Sequence, residues 1–139
     1  MVIAIDFDGT IVEDNYPEIG DPKIFAFETL REMQKKRYQL LLWTTREGDE
    51  LEEAVEFCRK NGVEFYAVNN SYPEEKFDDV SASRKLNCEV FISHKNIGGV
   101  EGWGEIFQEL KSLGGENELY DQLPQKTSFF DKVAKMIWK

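Results

Sequence analysis

Cationic side chains are scarce in this chain, with 17 Lys and Arg against 27 Asp and Glu and a net charge of -10. A field of that sign repels nucleic acid and anionic membrane surfaces, so neither is expected as a general partner, and any phosphate site must be locally positive against it. There are two cysteines, Cys58 and Cys88, whose spacing fits neither a metal site nor a disulfide framework; two buried thiols are the expectation. The only histidine is His94. Long apolar runs are also missing. The first, Val2 to Ile5, meets Asp6 at once, so it reads as neither a signal peptide nor a membrane span. These absences lead to the expectation of a soluble protein in a reducing, cytoplasmic setting. No internal repeat, low-complexity segment or dividing linker is visible.

What remains is the composition of a folded globule, 41% hydrophobic and 13% aromatic. Residues 2–6, 38–43, 63–68 and 88–92 read as strands. Asp21-Pro22 reads as a helix start, with Asp21 as N-cap, Pro22 at the first position and Ile24, Phe27, Leu30 and Met33 inward. A second helix is expected from about Gly48 to Asn61, with Leu51, Val55 and Cys58 inward and Gly62 as its stop. Residues 96–104 read as a glycine-rich loop and Ile106 to Leu113 as a third helix, with Ile106, Phe107, Leu110 and Leu113 as its apolar face. Strands alternating with helices imply an α/β domain with a central parallel sheet over residues 1–115. Residues 116–139 form an extension ending in an amphipathic helix. That helix is expected to pack back on the domain or to meet a second copy in a homo-oligomer.

The most informative stretch is Asp6-Phe7-Asp8-Gly9-Thr10. Two carboxylates at the carboxyl end of a buried strand are costly unless they act, and that end of an open α/β sheet is where ligands bind. Strand alternation points Asp6 and Asp8 one way and Phe7 the other. Gly9 permits a sharp turn directly afterwards. One carboxylate as nucleophile beside a second as proton donor suits this pattern.

This motif resembles the first signature of the haloacid dehalogenase-like (HAD) superfamily, DxDGT. Thr44, after the apolar strand Tyr38 to Trp43, is similar to the second motif, and Lys85, ahead of Phe91-Ile92, to the third. The resemblance covers residues 1–113. It implies a three-layer Rossmann-like fold and hydrolysis of a phosphoester through an aspartyl-phosphate. Asp6 would attack phosphorus, and Asp8 would protonate the leaving group and then activate water. Thr44 and Lys85 would hold the phosphoryl group, with Gly9 and Thr45 completing the phosphate site. Mg²⁺ would be held by Asp6 and the Asp8 carbonyl. The intervals between motifs leave no room for a cap domain, so the site would be open to a small or a macromolecular phosphorylated substrate. Tyr16, Pro17, Tyr72 and Pro73 could line its rim.

One motif departs from the pattern. The fourth strand normally leads into one or two aspartates, and here Ser93 and His94 stand in their place. Mg²⁺ relies on carboxylate oxygens, so its affinity should fall. His94 could instead favour Mn²⁺, and Glu101, Asp78 or Asp79 could supply a missing ligand. Two readings follow. One is a capless phosphohydrolase with weak or altered metal dependence. The other is a catalytically silent HAD-like fold that binds a phosphorylated ligand or a protein.

Overall fold

A computed structural model describes residues 1–76 and 83–113. The elements run β1 (Val2–Ile5), α1 (Ala26–Lys35), β2 (Gln39–Leu42), α2 (Gly48–Lys60), β3 (Ala67–Val68), β4 (Val90–Ile92) and α3 (Trp103–Leu113). The four strands form one parallel sheet in the order β3-β2-β1-β4. The chain is therefore an α/β protein of the Rossmann-like class. β1 and β2 are the inner strands, which is why Val2 to Ile5 and Leu40 to Leu42 carry unbroken apolar runs rather than alternation.

The two faces of the sheet are unequal. Ile3, Ile5, Leu40, Leu42 and Ile92 point to one face. There they join Phe27, Leu30 and Met33 of α1, Ala54 and Cys58 of α2, and Trp103, Ile106, Phe107 and Leu110 of α3 in the main core. Ala4, Leu41 and Ala67 point to the other face, into a smaller cluster closed by Leu86 with Val2 and Cys88 beside it. Leu86 and Cys88 belong to the β3–β4 connection. The layers are thus helices, sheet and connection. Among the described residues, no helix is long and apolar enough to cross a membrane.

Several boundaries differ from the sequence reading. Residues 21–23 do not open α1. Val12 bridges Pro22, Glu13 N–H bonds the Asp21 carbonyl and Lys23 N–H bonds the Ile11 carbonyl, so this stretch is drawn into a short ribbon. The N-cap of α1 is Phe25, in the left-handed region, and Ile24 is exposed rather than inward. β3 is reduced to two residues and β4 starts at Val90. α3 begins at Trp103, inside the stretch read as loop, because the indole is buried and its Nε1 donates to the Thr10 carbonyl at 2.9 Å. Residues 114–139, with the amphipathic helix and the oligomer contact assigned to it, lie outside the described residues, as do Asp78 and Asp79.

Trp103→Phe keeps most of the buried area but leaves the Thr10 carbonyl without this donor. Urea unfolding should show a loss of about 1–3 kcal/mol, and an unchanged midpoint would mean the bond contributes nothing. Burial raises the Cys58 thiol from 9.0 to about 12. The unfolded chain therefore ionises this thiol first. Its contribution is fully present below pH 9 and declines at about 1.4 kcal/mol per pH unit above it. Stability measured from pH 8 to 11 should fall less steeply in Cys58→Ala than in the unmodified chain.

Candidate functional site

Strand parity places the site. Asp6 continues the alternation of Ala4, Trp43 that of Leu41, and Ser93 that of Phe91, which pairs with Ala4. All four side chains therefore extend the small-cluster face past the carboxyl end of the sheet. There they line a cleft of about 300 Å³ together with Thr44, Thr45 and Lys95. This is the position at which open α/β sheets bind ligands. Trp43 and Phe91 meet edge to face, with ring centroids 4.4 Å apart, and form its aromatic wall.

Asp6 is held at the floor. Its N–H bonds the Ile92 carbonyl at 3.0 Å, continuing the β1–β4 ladder. One carboxylate oxygen, Oδ1, accepts from Phe7 N–H at 2.8 Å, and the other, Oδ2, accepts from Ser93 Oγ at 2.9 Å. Ser93 is buried and fully used: its hydroxyl donates to Asp6 and accepts from Lys95 N–H at 3.1 Å. His94 turns the other way. Its N–H donates to Thr10 Oγ1 and its Nδ1 lies 3.0 Å from the same oxygen, 3.7 Å from Asp6 Oδ2. The imidazole lies against Gly9, where an added Cβ would fall 2.6 Å from two ring atoms, at φ +82°. Glycine is thus required at position 9 twice over, for its backbone angle and for the ring that covers it.

Asp8 does not line the cleft beside Asp6. The chain turns after Phe7, whose carbonyl accepts from Thr10, Ile11 and Val12 N–H, and the turn carries Asp8 to a different partner. That partner is Arg46, the largest fully buried side chain among the described residues. Its Nε and Nη2 donate to the two oxygens of Asp8, each at 2.8 Å. The remaining donors reach the carbonyls of Pro17, Glu18 and Glu50. All five guanidinium N–H groups therefore have an acceptor, the condition for burying this charge. Phe7 and Tyr16 lie over the guanidinium at 5.3 and 5.1 Å. The Asp8 hydrogen bonds raise Arg46 above its usual pKa despite burial.

The remaining sequence candidates divide. Thr44 and Thr45 line the cleft. Thr44 N–H is held by Asn69 Oδ1 at 2.8 Å, and its Oγ1 accepts from Arg46 N–H, which leaves the hydroxyl proton to donate to a ligand. Lys85 is exposed and is not a lining residue; the lysine in the cleft is Lys95. Tyr16 and Pro17 serve Arg46 rather than the rim, Tyr72 is exposed, and neither Tyr72 nor Pro73 lines the cleft. Glu101 sits outside α3 beside Glu109, whose hydrogen bond raises its carboxyl, and is not in the cleft. No group of three or more His, Cys, Asp and Glu able to hold a metal occurs among the described residues. Sequence reasoning passed over Arg46 and Lys95. Arg46 carried one signal, an arginine directly after a buried strand in an acidic chain. Lys95 carried the strand parity of Ser93.

The ion pair sets a stability test. Arg46→Met strands the Asp8 carboxylate and should cost about 3–5 kcal/mol in chemical denaturation. Arg46→Lys should recover only a minor part, because an ammonium cannot span both oxygens and three carbonyls. Full recovery by lysine would show that charge alone matters.

No protein-family model matches the sequence, and comparison with curated proteins found no relative. Among solved structures, that of a conserved protein from Bacteroides thetaiotaomicron is similar, with 45% sequence identity and a TM-score of 0.74. The match covers 90% of this chain and 98% of that one. At that identity and coverage, the chain belongs to the family of this conserved Bacteroides protein.

Proposed function

We propose that the protein is a capless HAD-like fold that binds a phosphate-bearing ligand at the Asp6 cleft and does not turn it over by the Mg²⁺-dependent route. The observation that carries this reading is the double engagement of the acidic pair. Both Asp8 oxygens accept from Arg46, and Asp6 Oδ2 accepts from Ser93. A general acid must present a proton to the leaving oxygen. An Asp8 carboxylate with a guanidinium donor on each oxygen has none to present.

The described residues do not fit Mg²⁺. That ion takes near-octahedral oxygen ligands and usually one or two carboxylates. Here Asp6 is the one carboxylate among the described lining residues, and the buried Ser93 hydroxyl already occupies its Oδ2. His94 is no better placed for Mn²⁺, because its ring packs over Gly9 and it is not among the residues lining the cleft. The same substitutions favour an anion. Two carboxylates fewer than the family pattern lowers the repulsion on a phosphate, while Lys95, Thr44 and Thr45 offer one positive charge and hydroxyl donors.

The competing reading is a phosphohydrolase, and one observation favours it: Asp6 shares the cleft with Thr44 and Lys95, the set that would hold a phosphoryl group over a nucleophile. A phosphate-release screen over a phosphoester panel, with Mg²⁺, Mn²⁺ and no metal, separates the two. The binding reading expects no release above background and a saturable ³¹P NMR shift of inorganic phosphate. Metal-dependent release that Asp6→Asn abolishes would establish the hydrolase instead. Independently, Ser93→Asp with His94→Asp should raise Mg²⁺ affinity about tenfold or more; an unchanged affinity would show that these positions do not face the metal.

A further inference from the structure

The cleft holds more than a phosphate needs. Its volume of about 300 Å³ lies at the small end of organic-ligand sites. One wall is aromatic, and its exposure has no account in the packing of the chain. Trp43 keeps 40% of its surface open and Phe91 36%, although Trp43 shares the strand parity of Leu41 and Phe91 pairs with Ala4, both residues of the buried small cluster. Their edge-to-face contact fixes the two rings relative to one another. The polar lining is Thr44 and Thr45, directly after Trp43, and Lys95, two positions after Ser93. The cleft thus combines two paired aromatic rings with hydroxyl donors and one cation.

Charge narrows the occupant. Lys95 is the one cation among the described lining residues, which also include Asp6, and the chain carries a net charge of -10. A polyphosphate or a nucleic acid strand would meet more repulsion than one lysine offsets. A single phosphate on a compact organic group suits both the one cation and the aromatic lining.

We propose that the ligand is a small phosphomonoester whose organic part is a planar aromatic ring. The ring lies against Trp43 and Phe91, and the phosphate lies among Thr44, Thr45 and Lys95. This rests on the phosphate-binding reading above and adds the chemistry of the esterified group. Aryl phosphates and nucleoside monophosphates share that chemistry.

Isothermal titration of the full chain with inorganic phosphate, ethyl phosphate, phenyl phosphate and AMP tests it. Base-to-aromatic stacking contributes about 1–3 kcal/mol, so the tighter of phenyl phosphate and AMP should bind about tenfold or more better than ethyl phosphate. Whichever is tighter identifies the source of the ring. Trp43→Ala should remove that advantage and leave affinity for inorganic phosphate within about twofold. Phe91→Ala, at the same wall, should reduce the advantage in the same direction. If ethyl and aromatic esters bind alike to the unmodified chain while phosphate binds, the aromatic assignment is overturned and the phosphate-binding reading stands. If phosphate and all the esters fail to bind, both are overturned.

Discussion

A guanidinium can be buried only where each of its five N–H groups finds an acceptor, and Arg46 meets that condition with acceptors from three other parts of the chain. Asp8 comes from the turn after β1, Pro17 and Glu18 from the segment before α1, Glu50 from the first turn of α2, and Arg46 itself from the end of β2. The pair is therefore a knot as well as an ion pair. It decides where the loop carrying residues 16–18 lies and how α2 starts, and it removes Asp8 from the cleft. Low exposure makes the interaction strong, and for the same reason neither partner can be left alone without a large cost.

The turn at Asp6 to Thr10 is fixed by close packing rather than by charge. Gly9 accepts the His94 ring against its α carbon, Thr10 accepts His94 N–H, and the Thr10 carbonyl takes the indole of Trp103. His94 and Trp103 lie far along the chain from the turn. The segment after β4 and the start of α3 are thereby fastened to the loop after β1. Ser93 and His94, which stand where the resemblance would place acidic residues, are thus integral to the packing of the site. Ser93 bonds the carboxylate, and His94 roofs the glycine.

What the cleft offers a ligand follows from strand parity. Alternate residues of β1, β2 and β4 continue past the sheet on the face away from the helices, so a carboxylate, a hydroxyl, two hydroxyl-bearing loop residues, a lysine and two aromatic rings converge. That face buries only small residues, Ala4, Leu41 and Ala67 under Leu86. Among the described residues, no helix fills the space beyond it.

Much of the fold was legible in the chain. Unbroken apolar runs marked the inner strands, and 3.6-residue spacing marked the inward faces of the helices, including Phe27, Leu30, Met33 and Cys58. The boundary of α1 was not legible. Asp21-Pro22 is a sound local helix start, but pairing with residues 11–13 outcompetes it. Of the site, Asp6, Thr44 and Thr45 could be placed from sequence, because each sits at the end of a strand whose parity is fixed by burial. Which lysine enters the cleft could not, since Lys85 and Lys95 are both polar residues near loops, and only the course of the chain after β4 selects Lys95. The sequence by itself determined the strands, the helices and the end of the sheet at which chemistry gathers, because these depend on local periodicity. The tertiary structure alone decided that Asp8 belongs to Arg46, that His94 covers Gly9 and that Trp43 meets Phe91. Those pairings join residues distant in the chain, and nothing in local spacing encodes them.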